Sequence, residues 1–284
     1  MPFPADITPV NATDQRFGDA LAAADLPVIM EINQSRAGGE DLLRGRTAGD
    51  LVCRYEELGV PALSVVTGSW LGGTARLLDE VVEATSLPVL VKDFFTKERQ
   101  IRQVAEAGAA AVLLTATILP HRLMAVLIDA CLSHGVTPFV EITSGPELSA
   151  LTRAESCVVA VNNKDIRTRE SNEPDLGRSH DLLPRVRAAG AGLTVSAGGI
   201  DTPEGAAALL GAGFRGLLIG AGLLRAEDLD AWFGDLCALL PDAEAAAGDG
   251  HPRQAAEPSV RTAPSGRTER AAAGSTPSTG AAAA

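Results

Sequence analysis

Short apolar runs alternate with amphipathic stretches along this chain, and this alternation restricts the fold more than any other feature of the sequence. The runs have the length of buried strands, and they start roughly 20 to 35 residues apart, which is the length of one strand–helix unit. The predicted strands are 27–33, 61–67, 88–93, 110–115, 137–142, 157–162, 192–197 and 215–220. Eight such units in about 210 residues favour an α/β fold with a single closed (β/α)8 TIM barrel over an open sheet.

Amphipathic stretches fill the intervals between these strands and have the pattern of helices. The predicted helices are 48–58, 75–85, 97–107, 120–133, 147–153, 181–189, 203–210 and 226–240. Glycine follows several of them, as at Gly59 and Gly108, where a left-handed residue would end the helix before the next strand. Thr202 followed by Pro203 has the form of a capped helix start.

Two segments lie outside the predicted barrel domain, which we place at residues 27–240. Residues 1–26 form an N-terminal extension, and we expect its amphipathic piece at 14–24 to lie across the bottom of the barrel. Residues 241–284 contain almost no large apolar side chains, so they cannot bury enough surface to offset the entropy of ordering. We therefore predict that 241–284 is a disordered C-terminal tail.

The composition argues against several classes of partner. The chain has 284 residues, a formal net charge of -12 and a sequence pI of about 4.8. An acidic surface disfavours nucleic acids and anionic membranes, because both need a basic field. No apolar stretch reaches the length of a membrane span, and the N-terminus lacks the basic and apolar regions of a signal peptide. We expect a cytoplasmic protein with no nucleic-acid or membrane partner.

The four cysteines lie far apart, each within an apolar stretch, and no pair of them has metal-ligand spacing. This pattern predicts buried free thiols in a reducing compartment rather than disulfides. We expect neither a metal ion nor a cofactor.

Polar residues recur at the ends of four predicted strands. Lys92 lies where the apolar strand in the run Pro88-Val-Leu-Val-Lys-Asp-Phe94 ends, and Glu31, Glu141 and Asn162 hold the equivalent place in three other runs. Catalytic groups of a (β/α)8 barrel project from the C-terminal ends of its strands into one shared mouth. A buried lysine near carboxylates can also exchange a proton near neutral pH. A lone lysine at a strand end usually serves only solvation, but four such groups together favour an active site.

Glycines at the ends of the last two strands point to an anion site. Gly198, Gly199 and Gly220 allow the backbone to approach a ligand closely, so that amide N–H groups near a helix start can face a phosphate. The alternative is an ordinary strand-to-helix turn that uses glycine for conformational freedom alone. Two such turns on neighbouring strands favour the phosphate site.

These segments, taken in order, resemble the indole-3-glycerol phosphate synthase family over about residues 27–235. Lys92-Asp93-Phe94 is similar to that family's lysine strand, Val140-Glu141-Ile142 to its carboxylate strand, and Asn162-Asn163-Lys164-Asp165-Ile166 to its Asn-Asn-Arg-Asp-Leu segment. Ser64-Val65-Val66-Thr67 with Gly72-Gly73 resembles the second strand and its loop. The order and spacing of the motifs are more specific than any one of them.

Two further segments resemble the family's phosphate-binding strands seven and eight. They are Val195-Ser-Ala-Gly-Gly-Ile200 and Leu218-Ile-Gly-Ala-Gly-Leu-Leu-Arg225. The resemblance therefore assigns Ser196 and Ala221, together with the glycines beside them, to phosphate binding.

The resemblance implies a carbon–carbon lyase of tryptophan biosynthesis that acts on a small phosphorylated substrate as a monomer or homodimer. The reaction would close an indole ring from a carboxyphenylamino-deoxyribulose phosphate with loss of carbon dioxide and water. Lys92 would protonate the ketose carbonyl while the aromatic carbon attacks it, and Glu141 would transfer a proton during dehydration. Glu31 and Asn162 would orient and polarise the substrate.

The chain departs from the family pattern at the mouth of the barrel. Its first strand has Glu31-Ile32-Asn33 in place of Glu-x-Lys, and its seventh has Ser196-Ala197-Gly198-Gly199-Ile200 in place of Ser-Glu-Ser-Gly-Ile. One lysine and one glutamate are thus absent, so the two losses cancel in charge. Asn33 then takes a substrate-binding position, and Arg36 or Lys164 would serve in place of the missing lysine.

Three hypotheses follow from these departures. The chain is a divergent indole-3-glycerol phosphate synthase, or a related enzyme of specialised metabolism that acts on a different phosphorylated arylamine. The third hypothesis is a barrel that binds a sugar phosphate without catalysis. Lys92 and Glu141 weigh against the third, whereas Asn33 and Ala197 weigh against the first.

Overall fold

A computed structural model describes residues 16–35, 39–168 and 172–240 of the chain. Eight parallel strands form a closed barrel in chain order, and β1 pairs with β8 to complete it. The strands are β1 (Val28–Ile32), β2 (Ala62–Val66), β3 (Val89–Lys92), β4 (Ala111–Thr115), β5 (Thr137–Ile142), β6 (Val158–Asn162), β7 (Leu193–Ala197) and β8 (Gly216–Ile219). Each lies within one of the eight predicted runs, so the predicted (β/α)8 fold is confirmed.

Helices follow the strands and surround the barrel. They are α1 (Arg16–Ala23), α2 (Ala48–Glu57), α3 (Ala75–Ala84), α4 (Glu98–Glu106), α5 (His121–Ser133), α6 (Gly145–Ser149), α7 (Leu176–Ala188), α8 (Pro203–Ala212), α9 (Ala221–Arg225) and α10 (Leu229–Leu239). Three short 3-10 turns cover 69–71, 154–156 and 166–168. None of the helices described is long and apolar enough to cross a membrane.

Local chemistry sets several of the helix limits. Thr47 accepts a hydrogen bond from the Asp50 amide while the Asp50 side chain accepts from the Thr47 amide, which is a capping box at the start of α2. Thr202 caps α8 in the same sense through the Gly205 amide, and Pro203 occupies its first turn, as the sequence predicted. At the other end of α8, Gly213 has a φ of 103°, a left-handed value that ends the helix.

The last predicted helix is wrong in its limits. The sequence predicted one helix over 226–240, whereas the structure has α9 before Ala226 and α10 from Leu229. The reason is a cap: the Asp228 side chain accepts a hydrogen bond from the Ala231 amide and sets the start of α10. The five residues of α9 follow β8 directly and occupy the mouth of the barrel.

Two apolar layers make up the core. Alternate strand residues such as Ile29, Leu90 and Phe139 fill the inside of the barrel, while their neighbours pack outward against the helices. Helix α1 joins the inner layer, because the Phe17 ring meets the Phe139 ring edge-on with centroids 6.1 Å apart. The amphipathic piece predicted to cover the barrel therefore packs against its inner layer.

The outer limits of the predicted domains lie partly beyond what the structure describes. Residues 1–15 of the predicted extension and the whole predicted tail, 241–284, fall outside the described residues. The barrel between them is described except at 36–38 and 169–171.

Candidate active site

The four polar strand-end residues line one cavity at the C-terminal end of the barrel. Glu31, Lys92, Glu141 and Asn162 come from β1, β3, β5 and β6 respectively, and each is at least nine-tenths buried. The cavity has a volume of about 850 Å³, including the space open to solvent. Parallel strands bring their C-terminal ends to the same side of a barrel, so residues far apart in sequence meet here.

Lys92 forms a buried ion pair with Glu31. The Lys92 Nζ donates to Glu31 Oε2 at 2.8 Å, and the two side chains are only 8% and 11% exposed. Because the pair is mostly shielded from water, each charge depends on the other for stabilisation. Removal of one partner would leave an unpaired buried charge, which destabilises the folded protein. The backbone of β8 packs closely on this pair, because a Cβ at Gly220 would lie 2.5 Å from Glu31 Oε1.

Asn162 has a fixed amide orientation. Its Oδ1 accepts a hydrogen bond from the Lys164 backbone amide at 2.8 Å, so its Nδ2 is directed away from that amide. A Cβ at Gly198 would collide with the same oxygen, so glycine at that position lets β7 approach the asparagine. Arg178 of α7 donates to the Asn162 carbonyl at 2.7 Å and to the Lys164 carbonyl at 3.2 Å. The start of the loop after β6 is therefore held by the Asn162 side chain and by the Arg178 guanidinium.

The predicted phosphate residues lie on the β7–β8 side of the cavity. Gly198 and Gly199 have φ values of 79° and 69°, which residues other than glycine rarely adopt. Lys164 lies close by, since a Cβ at Gly199 would be 3.3 Å from Lys164 Cε. Gly220 and Ala221 line the same side. The backbone of these glycines and the Lys164 side chain thus line the same side of the cavity.

Ser196 corrects the sequence interpretation. Its side chain is fully buried and does not line the cavity. Successive strand residues point to opposite faces, so with Val195 and Ala197 turned inward Ser196 points to the helices. Its hydroxyl lies 2.8 Å from the Ser179 hydroxyl of α7, outside the reach of a ligand in the mouth.

Of the two other residues predicted to bind substrate, Asn33 lies in the cavity and Arg36 lies outside the described residues. Asn33 is buried and lines the cavity beside Glu31, at the position where the resemblance expects a lysine. Arg36 falls within 36–38 and lies outside the described residues. Ala197, where a glutamate was expected, also lines the cavity.

Sequence reasoning missed two charged residues of the mouth, Arg225 and Asp201. Arg225, at the end of α9, donates to both oxygens of Glu40 at 2.8 and 2.5 Å, and these hydrogen bonds raise the pKa of its guanidinium. This fork ties the loop after β1 to α9. Arg225 closed a quoted motif, so its place in that motif was a usable indication. For Asp201, the only indication in the sequence was its position shortly after Gly198 and Gly199.

Charge in the described lining is balanced. Its cations are Lys92, Lys164 and Arg225, and its carboxylates are those of Glu31, Glu141 and Asp201. Among residues 16–35, 39–168 and 172–240 no group of three or more His, Cys, Asp or Glu side chains could hold a metal ion. The arrangement brings a buried ammonium group, the Glu141 carboxylate and a glycine-rich backbone into one cavity.

The barrel and its mouth define a (β/α)8 enzyme built for acid–base chemistry on an anionic substrate. The family model of indole-3-glycerol phosphate synthase matches residues 5–236, and the chain belongs to this family.

Individual relatives agree with this assignment. The indole-3-glycerol phosphate synthase of Pyrococcus furiosus is 34% identical over 203 residues, which cover 71% of this chain and 87% of that protein. The one of Chloroherpeton thalassium is 36% identical over 180 residues, or 63% of this chain and 67% of that protein. The one of Bacillus cereus is 29% identical over 229 residues, or 80% and 89%.

Proposed function

We propose that this protein is an indole-3-glycerol phosphate synthase that closes the indole ring of a carboxyphenylamino-deoxyribulose phosphate with release of carbon dioxide and water. One observation carries the proposal. The Lys92–Glu31 ion pair and Glu141 line the same cavity as the glycine backbone of the β7–β8 side. A proton donor, a second acid–base group and an anion site are the three elements that this reaction needs.

Lys92 serves the ring-closing step. The aromatic carbon that bears the carboxylate attacks the ketose carbonyl, and the carbonyl oxygen gains negative charge as the new bond forms. The Lys92 ammonium gives that oxygen a proton, so that it becomes a hydroxyl. Glu31 accepts a hydrogen bond from the ammonium at 2.8 Å and fixes its direction. The ring carbon then loses carbon dioxide, which restores the aromatic ring.

Glu141 serves the dehydration step. The hydroxyl formed at the former carbonyl leaves as water after it takes a proton, and the adjacent carbon gives one up. The Glu141 carboxyl group, which lines the same cavity as the Lys92–Glu31 pair, can transfer such a proton. Asn162, whose amide is fixed by the Lys164 backbone, orients the substrate between the two. The phosphate occupies the β7–β8 side beside Gly199 and Lys164.

Asn33 and Ala197 leave the site with fewer charges than the family pattern but with no net change. Lys164 lines the cavity and can supply a positive charge to the substrate in place of the missing lysine. Family membership favours this function over action on another arylamine and over a barrel that only binds a sugar phosphate.

The direct test is to incubate the purified protein with the carboxyphenylamino-deoxyribulose phosphate and follow the appearance of indole fluorescence. We expect steady product formation in proportion to the protein added. Substrate that binds but yields no product would contradict the proposal and favour a different phosphorylated arylamine.

We also infer that the protein acts in the cytoplasm, as a monomer or homodimer without nucleic-acid partners. All four cysteines are free thiols, and the net charge of -12 is unsuited to a polyanion. Light scattering should give a mass of 29.2 kDa or twice that value. A larger assembly would contradict the inference.

A further inference from the structure

Asn163 is the centre of a buried hydrogen-bond network behind the β7–β8 side of the cavity. Its Nδ2 donates to the Ala197 carbonyl at 2.9 Å, to the Gly198 carbonyl at 3.2 Å and to the Ser196 hydroxyl at 3.1 Å. Its Oδ1 accepts from the Ser179 hydroxyl at 2.7 Å. Asn163 is fully buried and does not line the cavity, so it cannot touch a ligand there.

The backbone of Asn163 strengthens the same connection. Its amide donates to the Ala197 carbonyl at 2.8 Å, and its own carbonyl accepts from the Asp175 amide at 2.9 Å. The Asn carboxamide has two N–H donors and one oxygen acceptor on a short uncharged side chain, so it can bond to several neighbouring groups at once. One residue thus joins the end of β6, the end of β7 and helix α7.

The direction of the carbonyl groups decides where the neighbouring amides point. A trans peptide is planar, so the N–H of the following residue points opposite to the carbonyl. The Ala197 and Gly198 carbonyls point toward Asn163, behind the wall of the cavity. The Gly198 N–H therefore points across the sheet toward β8, because the Ala197 carbonyl points to β6. The Gly199 N–H points away from Asn163, toward the cavity that Gly199 lines. The positive φ values of both glycines make this path possible without steric cost.

We propose that Asn163 is a positioning residue for phosphate: its side chain holds the Gly198 carbonyl so that the Gly199 amide faces the anion. The nature of the ligand rests on the proposed function. Lys164, beside Gly199, adds the positive charge, and the oriented amide adds direction. Without the Asn163 side chain, the peptide between Gly198 and Gly199 can rotate and present its carbonyl oxygen, which repels an anion.

The test compares two variants of the same network by binding of inorganic phosphate, measured by calorimetry. Asn163→Ala removes the side-chain donor to the Gly198 carbonyl, whereas the Ala197 carbonyl keeps its hydrogen bond from the backbone amide of residue 163. Ser179→Ala is the matched control, since it removes a fully buried hydroxyl but leaves the Asn163 Nδ2 contacts with the two carbonyls in place. We expect Asn163→Ala to raise the phosphate Kd about 10- to 100-fold and Ser179→Ala to change it less than about threefold. Melting temperatures of both variants separate a loss of stability from a loss of orientation.

An Asn163→Ala variant that binds phosphate as wild type does would overturn the proposal. So would equal losses of affinity in both variants, because the effect would then follow the general stability of the network. If Asn163→Ala does not fold, nuclear magnetic resonance of the wild type decides. We expect the Gly199 amide proton to shift downfield on phosphate addition, and an unchanged resonance would refute the assignment.

The binding readout also separates this inference from the proposed function. A wild-type protein that binds phosphate, with the predicted difference between the variants, but forms no indole product supports the role of Asn163 and contradicts the proposed reaction.

Discussion

Among single residues, Asn33 and Ala197 set the sharpest question about this site. Both line the cavity with Lys92, and neither carries the charge that the family pattern places there. One preorganised charged contact to a transition state is typically worth about 10²–10³ in rate. The balanced loss of one cation and one anion leaves Lys92, Glu31 and Glu141 as the ionisable groups nearest the proposed chemistry.

We predict that Asn33→Lys combined with Ala197→Glu raises the kcat/KM for indole-glycerol-phosphate formation well above that of wild type. Each single change should do less, because one added charge in a mostly buried place lacks its partner. The control is Asn33→Met with Ala197→Gln, which fills similar volume without charge. A wild type that is already fast, with a charged double variant that is no faster, would mean that the two positions are dispensable.

The cysteines give a second prediction at this scale. Burial raises the pKa of the Cys157 thiol to about 12 and raises the pKa of Cys131 as well, so both stay protonated and unreactive at neutral pH. Cys53 and Cys237 are exposed, so the sequence prediction of buried thiols is wrong for these two. A thiol reagent should therefore modify two cysteines per native chain quickly and all four after denaturation. Rapid modification of Cys131 or Cys157 in the native protein would contradict the described packing.

At the scale of elements, the turn after β7 requires a glycine, whereas the end of helix α8 contains a glycine that the structure does not require. Gly199 has a left-handed φ, and a Cβ there would collide with the Pro174 side chain. Gly211 lies near the end of α8, where a Cβ would meet nothing within 4 Å. The first glycine is required by its backbone, and the second only costs the helix conformational entropy.

We predict that Gly199→Ala lowers the free energy of unfolding by more than about 1 kcal/mol and weakens phosphate binding. Gly211→Ala, the matched control, should raise the free energy of unfolding by about 0.5 kcal/mol and leave phosphate binding unchanged. Urea denaturation and phosphate calorimetry measure the two effects. A Gly199→Ala variant as stable as wild type would show that the turn relaxes without strain.

The elements that the sequence predicted well are those whose pattern is local. Each strand is a continuous apolar run, because both faces of a barrel strand are buried, and all eight appear within their predicted ranges. Helix limits failed where a side chain decided them, as at Asp228 before α10. Ser196 was misassigned because the motif was treated as a unit, whereas strand alternation turns every second residue away from the mouth.

At the scale of the whole molecule, the barrel separates stability from function. Helix α1 packs Phe17 and Leu21 into the inner apolar layer, while the six charged side chains that line the cavity lie at the C-terminal mouth. The side chains predicted to be catalytic share this position on β1, β3, β5 and β6, and that shared position is what the sequence could indicate. Closure between β1 and β8 then brings Gly220 against Glu31, a contact that no local pattern contains.

The long-range partners of the site were beyond sequence reasoning for the same reason. The Lys92–Glu31 pair joins residues 61 positions apart, and the Asn163 network joins β6, β7 and α7. Such contacts depend on side-chain directions and distances that exist only after the barrel has closed. The roles proposed for Lys92, Glu141, Glu31 and Asn162 remain predictions to be tested by substitution.

The central claim is that this barrel closes an indole ring with Lys92 as its proton donor. The measurement that tests it most directly is the steady-state rate with the carboxyphenylamino-deoxyribulose phosphate for wild type, Lys92→Ala and Lys97→Ala, with carbon dioxide and indole product both quantified. Lys97 is exposed and serves as the matched lysine control. We predict equal amounts of the two products from wild type and Lys97→Ala, and a kcat at least about 10²-fold lower for Lys92→Ala. No product from wild type, or a Lys92→Ala variant as fast as wild type, would contradict the claim.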